Sequence, residues 1–231
     1  MNQRRVVTVD GPAGSGKSTL GRALAMDLGL PLIDTGLFYR GIMVAAVRAG
    51  IDVRDEAALA ELAQRTVVAV DTDPQTSADS VVVDGVADSM LLRDPRHAGL
   101  LAAISSTPAV RAAVLQPQRA LAAGGAVAVG RDCGTVVFPH AAVKFYLNAP
   151  QSVREKRRLA QLRARGAPAD DSVLRAEVGD RDRADTYRTA SPLVAAADAH
   201  VIDTAAMDVP TMITYAVEIC RKAGLDPVGS R

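Results

Sequence analysis

One stretch of the chain, residues 10–19, constrains the fold more than any other feature. It reads Asp-Gly-Pro-Ala-Gly-Ser-Gly-Lys-Ser-Thr and contains the pattern G-x-x-x-x-G-K-S. The apolar run Val6–Val9 precedes it, and Leu20–Leu28, with leucine and alanine at helical spacing, follows it. A strand, a glycine loop and a helix in this order are the context in which the pattern binds phosphate groups. The stretch therefore predicts an α/β fold with an anion site at a strand end.

Each part of this loop has a physical role in holding a nucleoside triphosphate. Its glycines allow backbone N–H groups to point inward, and the following helix adds the positive end of its dipole. Lys17 reaches the β- and γ-phosphates, and the Ser18 hydroxyl is a ligand for Mg²⁺. A glycine-rich turn that binds nothing is the alternative. The predicted triphosphate-binding residues are Gly11, Pro12, Ala13, Gly14, Ser15, Gly16, Lys17, Ser18 and Thr19.

The composition limits the classes of protein that fit this chain. Its 231 residues suit one α/β domain, and 48% of them are apolar, which is enough for a core. The 27 basic and 26 acidic residues nearly cancel, which argues against a partner that is a nucleic acid polymer or a membrane. Cys133 and Cys220 fit no metal spacing and are typical of reduced thiols. The sequence contains no recognisable signal peptide and no apolar run that spans a bilayer, so we expect a cytoplasmic protein. We also expect a monomer.

Segments typical of strands and helices alternate along most of the chain. Buried strands are predicted at Val6–Asp10, Leu32-Ile33, Ala126–Val129, Val143–Leu147 and His200–Asp203. The alternation predicts a doubly wound, mostly parallel five-stranded sheet in a single domain that covers residues 1–231. Ligands of such folds bind outside the carboxyl ends of the strands, where the glycine loop begins.

Two segments depart from this alternation. Short β-branched runs separated by turn residues predict a small antiparallel sheet inserted at residues 63–97. Residues 150–170 begin with a helix on which Arg154, Arg157 and Arg158 share one face. A basic helix with little apolar surface suits a lid that closes over phosphates. An ordinary solvated face is the alternative.

Charged residues that follow other strands predict a second anion site. Arg40 comes shortly after the second predicted strand, and Arg131-Asp132 follows the third. Arginine matches phosphate oxygens in bidentate geometry, so arginines beyond those of the first site imply a phosphorylated acceptor. Asp132 suits an amino hydrogen of a base such as cytosine, and capping of the following turn is the alternative.

A predicted helix at Ser172–Arg188 carries a stripe that changes character along its length. Leu174 and Val178 lie on the same stripe as Arg181, Asp185 and Arg188. Charges in line with the apolar face favour a cleft-facing position, and a surface ladder of ion pairs explains the spacing equally well.

Together these motifs resemble the bacterial cytidylate kinases over nearly the whole chain. The motifs are the glycine loop, Asp34-Thr35-Gly36 with Tyr39-Arg40, Val110-Arg111, Gly130–Pro139, Arg157-Arg158 and Arg181–Leu193, in the family's order. Gly130–Pro139 is the most specific of them. Cys133 departs from the family, which usually has a larger aliphatic residue there. Ala102 departs as well, because some members have a ribose-contacting serine, for which Ser105 or Ser106 is the candidate replacement.

The resemblance implies a P-loop kinase that transfers the γ-phosphoryl group of ATP to CMP or dCMP with Mg²⁺. It implies that the insert at 63–97 binds the monophosphate and that the segment at 150–170 is the lid. The implied CMP-binding residues are Thr35, Arg40, Arg111, Arg131, Asp132, Arg181, Asp185 and Arg188. The implied catalytic residues are Lys17, Arg131, Arg154, Arg158 and Arg188.

Two other functions are compatible with the glycine loop alone. Another small-molecule kinase, of the shikimate or uridylate type, also needs this loop, but Gly130–Pro139 argues against it. A nucleotide-driven switch or regulatory ATPase needs no arginines for an acceptor. A GTP switch usually carries N-K-x-D to read guanine, and this sequence has no such motif.

Overall fold

A parallel sheet of five strands forms the centre of the structure, a computed structural model that describes residues 3–76, 79–88, 91–92, 95–164, 179 and 182–226. Its strands are β1 (Val6–Asp10), β2 (Leu32–Asp34), β6 (Ala126–Gly130), β7 (Val143–Asn148) and β8 (His200–Asp203). They are arranged in the order β2-β6-β1-β7-β8, and every pairing is parallel. The predicted fold class is confirmed.

The helices begin and end at residues that carry recognisable signals. Gly29 ends the first helix in a left-handed conformation with φ 61°, and the Asp55 carboxylate caps the third by accepting from the Ala58 N–H at 2.9 Å. The helices are α1 (Lys17–Leu28), α2 (Gly36–Ala49), α3 (Glu56–Arg65), α4 (Ala98–Ser106), α5 (Pro108–Ala120), α6 (Gln151–Ala164) and α7 (Val209–Lys222). Of the predicted helix at 172–188, residues 182–187 are helical, and most of the rest lies outside the described residues.

Apolar side chains fill both faces of the main sheet, as a doubly wound fold requires. On one face, Val7 and Val9 of β1 pack with α1 and α7 in a single buried cluster. On the other face, Val6 packs with Phe138, which follows a helical turn at Cys133–Val137. The sheet is therefore buried on both sides, and its strand ends are the edges open to ligands.

A second, antiparallel sheet lies between α3 and α4 in the chain. Its strands are β3 (Val68–Thr72), β4 (Asp79–Val83) and β5 (Val86–Ala87), in that spatial order. Val81 and Val83 of β4 are buried in a cluster with Ile42 of α2. The small antiparallel sheet predicted from the sequence is thus confirmed.

Helices α4 and α5 are bent by 84° at their junction. Pro108 stands in the first turn of α5, where its missing N–H costs no hydrogen bond. In the described part of the chain, no single helix is long and apolar enough to cross a membrane. This bent pair reaches the necessary length and apolar composition only when both helices are counted together.

The strand register brings three loops to one edge of the sheet. Asp10, the last residue of β1, is paired with Gly130, the last residue of β6. Asp34 at the end of β2 is paired with Val129 of β6. The glycine loop, the loop after β6 and the start of α2 therefore leave the sheet side by side.

Candidate active site

The glycine loop connects β1 to α1 in a tight backbone path. A Cβ added to Gly11 would lie 2.2 Å from the Leu147 carbonyl oxygen, so only glycine fits there. Gly16, the N-cap of α1, has φ 98°, a conformation that favours glycine. The Lys17 ammonium is buried and donates to the Pro12 carbonyl oxygen at 2.6 Å. The loop and the N-terminus of α1 thus form a positively polarised concavity with a lysine beside it.

Arg154 lies against this loop. Its Nη1 donates to the Ala13 carbonyl oxygen at 3.2 Å and its Nε donates to the Ala149 carbonyl oxygen at 3.0 Å. Asp182 pairs with the same guanidinium at 2.5 Å. The sequence predicts a basic helix with little apolar surface here, and the structure buries this arginine of its first turns beside the glycine loop.

Thr204 joins the start of α6 to the loop from the other side. Its hydroxyl donates to the Ser15 carbonyl oxygen at 3.0 Å. Arg157 donates to the Thr204 hydroxyl at 2.9 Å and to its carbonyl oxygen at 2.6 Å. Arg158 is exposed on α6, and its catalytic role stays a prediction. Contacts with the loop therefore fix the first turns of the segment predicted as the lid.

A network of buried charges lies at the ends of β6 and of the helical residues 182–187. Asp132 pairs with Arg111 from α5 and lies 3.9 Å from Nη2 of Arg188. Asp185 pairs with Arg188 at 3.5 Å and with Arg131 at 2.9 Å. The structure thus brings together five of the predicted acceptor residues. The alternation of three guanidinium groups with two carboxylates stabilises charges that would be costly to bury alone.

Two of these arginines have buried N–H groups without a hydrogen-bond partner in the part of the chain that the structure describes. Arg188 Nη2 and Arg111 Nε are buried and have no hydrogen-bond partner among the described residues. Burial, and then repulsion by Arg111, lowers the pKa of Arg188 from its ordinary value. Arg188 is held by its Nε, which donates at 2.6 Å to the carbonyl oxygen of Ser191, a residue with φ 53°. A left-handed conformation is uncommon outside glycine. The two buried donors remain available for hydrogen bonds to a bound molecule or to water.

A cavity of about 170 Å³ adjoins the network. Its lining includes Tyr39, Arg111, Gln118 and Asp132. The Arg111 guanidinium lies over the Tyr39 ring, 5.1 Å from its centroid, which is within the range of a cation–π contact. Burial raises the pKa of Tyr39 to about 12, so its hydroxyl remains protonated at neutral pH. The cavity therefore offers both hydrogen-bond donors and hydrogen-bond acceptors beside an aromatic ring.

The remaining predicted residues have varied positions. The Thr35 hydroxyl is buried and donates to the Val129 carbonyl oxygen at 3.0 Å, which places Thr35 at the ends of β2 and β6. Arg40 is half-buried and donates to the Leu92 carbonyl oxygen at 2.8 Å. Arg181 lies outside the described residues. Ser18 and Thr19 are exposed on the first turn of α1.

The two serines considered as ribose ligands make local contacts. The Ser105 and Ser106 hydroxyls both donate to the Ala102 carbonyl oxygen, at 3.1 and 2.9 Å. The Ser105 carbonyl oxygen in turn accepts from Arg111 Nη1 at 2.8 Å. Their role in ribose binding stays a prediction.

Three residues of the site are not predicted from the sequence. Gln118 is buried, and its amide donates to the Thr35 carbonyl oxygen at 3.2 Å. Thr204 bridges the loop and α6, and Asp10 accepts two backbone N–H groups of the turn at 133–137. Gln118 and Thr204 carry no pattern that separates them from other polar residues. Asp10 directly precedes the glycine loop, and that position was the available signal.

Comparison with known proteins gives a consistent result over most of the chain. A family model described as cytidylate kinase matches residues 7–222. The cytidylate kinase of Pelotomaculum thermopropionicum is 41% identical over 94% of this chain and 96% of that protein. The cytidylate kinase of Symbiobacterium thermophilum is 39% identical over 94% of this chain and 96% of that protein. The cytidylate kinase of Pseudomonas aeruginosa is 37% identical over 96% of this chain and 97% of that protein.

Proposed function

Because the chain belongs to the cytidylate kinase family of nucleoside monophosphate kinases, we propose that it transfers the γ-phosphoryl group of ATP to CMP or dCMP. The products are ADP and CDP or dCDP. The observation that carries this proposal is the network of Arg111, Asp132 and Arg188. Its Arg111 Nε and Arg188 Nη2 are buried without a hydrogen-bond partner among the described residues, so they are available to an anionic acceptor. A protein that only hydrolyses ATP needs no such network beside its phosphate-binding loop.

On the donor side, the glycine loop and Lys17 bind the triphosphate. Lys17 now donates to the Pro12 carbonyl oxygen, and the γ-phosphate replaces that acceptor. The exposed Ser18 hydroxyl fits Mg²⁺, which keeps water and phosphate oxygens as most of its ligands. No group of three or more His, Cys, Asp or Glu suited to a metal occurs among the described residues. When bound, the metal neutralises charge on the phosphates.

On the acceptor side, we assign the base to Thr35, Arg111 and Asp132. Asp132 accepts a hydrogen from the cytosine amino group, a contact that selects cytosine over uracil. Asp185 and Arg181 hold the ribose. The acceptor phosphate is bound by Arg40, Arg131 and Arg188, for which bidentate geometry is suited.

The chemical problem is the approach of two anions, and the arginines solve it by electrostatics. The second pKa of a phosphate monoester is near ~6, so the acceptor is already a dianion at neutral pH and needs no general base. Lys17, Arg131 and Arg188, with Arg154 and Arg158 of α6, offset the repulsion and hold the reacting atoms in line. In this proposal, residues 63–97 enclose the monophosphate and residues 150–170 close over the donor.

The proposal is tested by ADP release in the presence of ATP and Mg²⁺. We expect release with CMP or dCMP and little with UMP, with shikimate or without acceptor. Chelation of the metal by EDTA is expected to stop turnover, while calorimetry still detects CMP binding. Rapid ADP release without acceptor would favour a regulatory ATPase, and a preference for UMP or shikimate would favour a different kinase.

A further inference from the structure

Asp10 is a buried carboxylate that the reaction described above does not use. It is the last residue of β1, is 5% exposed and directly precedes Gly11 of the phosphate-binding loop. The Cys133 N–H donates to its Oδ1 at 2.9 Å, and the Gly134 N–H donates to its Oδ2 at 2.7 Å. One carboxylate thus satisfies the first two backbone donors of the turn at 133–137, which would otherwise be orphaned at a helical N-terminus.

The turn that Asp10 holds carries the acceptor residues. Arg131 and Asp132 immediately precede Cys133 in the chain, and Asp132 is the partner of both Arg111 and Arg188. At the other end of the contact, the backbone of Asp10 continues into Gly11, which is packed against the Leu147 carbonyl oxygen with no room for a Cβ. Asp10 is therefore bound to the donor loop covalently and to the acceptor turn by two hydrogen bonds.

The close approach of the turn to β1 is itself built into the sequence. A Cβ added to Gly134 would lie 2.9 Å from the Thr8 hydroxyl and 3.3 Å from Asp10 Oδ2. Glycine at 134 thus permits the short hydrogen bond to Asp10. The carboxylate is held here at a cost, because burial raises the pKa of Asp10 to about 6 although the two N–H groups act in the opposite direction.

We propose that Asp10 is a positioning residue that sets the distance and angle between the donor loop and the acceptor turn. This inference rests on the proposed kinase function and adds a residue to it. Neither substrate is expected to touch Asp10, because its two carboxylate oxygens are occupied by backbone N–H groups. Its effect is on alignment: misplacement of reacting groups by about 1 Å costs on the order of 10²-fold in rate.

The test compares wild type with Asp10→Asn and Thr8→Val. The asparagine has the same size, but its NH₂ faces one N–H group that the carboxylate satisfied. Thr8→Val changes a buried side chain two residues earlier on β1, whose hydroxyl has no hydrogen-bond partner among the described residues, so it is the matched control. Calorimetric titration with an ATP analogue counts the folded sites, and kcat is expressed per site.

For Asp10→Asn we expect kcat per site to fall on the order of 10–10²-fold, with KM for ATP and CMP each within about threefold of wild type. Thr8→Val is expected to keep kcat within about twofold. Unchanged kcat in Asp10→Asn, or a rise in KM for CMP at unchanged kcat, would overturn the positioning role. Gly134→Ala, which pushes the turn away from Asp10, is expected to give the same selective loss of kcat if Asp10→Asn does not fold. Failure of both variants to fold would make Asp10 a purely structural residue.

The same experiment separates this inference from the proposed function. Wild-type protein that releases no ADP in response to CMP or dCMP would refute the kinase assignment and the positioning role together. Active wild-type protein with an equally active Asp10→Asn variant would refute the positioning role alone.

Discussion

Replacement of Asp132 by alanine should destabilise the protein even in the absence of nucleotides. The side chains of its two partners, Arg111 and Arg188, are 7% and 5% exposed, and burial followed by repulsion from Arg111 lowers the pKa of Arg188. Removal of the carboxylate leaves both guanidinium groups facing each other without their shared counter-charge. Breaking a buried pair by removing one partner costs about 3–5 kcal/mol. In a chain of this size that corresponds to a fall in Tm of roughly 6–20 °C.

The measurement is urea unfolding followed by circular dichroism at pH 7, without substrates. Glu61→Ala is the matched control, because Glu61 pairs with Arg65 at 3.8 Å on the surface of α3, where such pairs contribute about 0.3–0.5 kcal/mol. The double variant Asp132→Ala/Arg111→Met should recover part of the loss, since it removes a positive charge along with the negative one. A cost for Asp132→Ala no larger than that for Glu61→Ala would show that the network does not stabilise the fold.

Three further predictions concern neighbouring residues. Arg188→Ala should lower kcat on the order of 10²–10³-fold while calorimetry shows unchanged ATP binding. Arg183 is exposed on the same helical segment, so the control variant Arg183→Ala should keep its activity. An equal loss of ATP binding in Arg188→Ala would contradict an acceptor-side role. Gln118→Leu should raise KM for CMP by roughly 10-fold at constant KM for ATP, because a buried Thr35 carbonyl loses its donor at a cost of about 1–3 kcal/mol, and unchanged kinetics would remove Gln118 from the site. Burial raises the pKa of Asp10 from 3.8 to about 6, so the folded protein binds this proton more tightly than the unfolded chain does. As the pH falls from 6 towards 4, wild type should therefore gain up to about 3 kcal/mol of stability relative to Asp10→Asn. A difference between the two unfolding free energies that stays constant over this pH range would contradict the raised pKa.

Much of the fold follows from local features of the chain. The glycine loop between an apolar strand and a helix predicts the start of the sheet, and glycines such as Gly29 predict where helices end. The β-branched runs between 67 and 86 predict a separate antiparallel sheet. These features are readable because strand and helix periodicity, glycine φ and turn chemistry each involve residues close in sequence.

Arg131 and Asp132 are predicted from their chemical type at a strand end, Asp185 and Arg188 from the stripe on a helix, and Arg111 from the family resemblance. Arg111, Arg131, Asp132, Asp185 and Arg188 do converge. Arg131 and Asp132 follow β6 at the carboxyl edge of the sheet. Arg111 of α5 and the residues at 185 and 188 join them through ion pairs. For Asp185 and Arg188 the stripe alone left a cleft and a surface ladder equally open. Burial of the Arg188 side chain argues against a surface ladder, which would leave its charges in water, and a cleft-facing role stays a prediction.

Local sequence patterns are enough to predict the fold class, the glycine loop and the charged residues that we assign to an acceptor. The way these parts are joined depends on contacts that only the folded chain makes: Arg154 to Ala13, Thr204 to Ser15, and Gln118 to Thr35 are 141, 189 and 83 residues apart. No pattern in the sequence predicts such pairs, because they form only when the strand order places distant loops in contact. Asp10 shows both kinds of information. Its position directly before the glycine loop is visible in the sequence, whereas its two hydrogen-bond partners on the turn after β6 are 123 and 124 residues away.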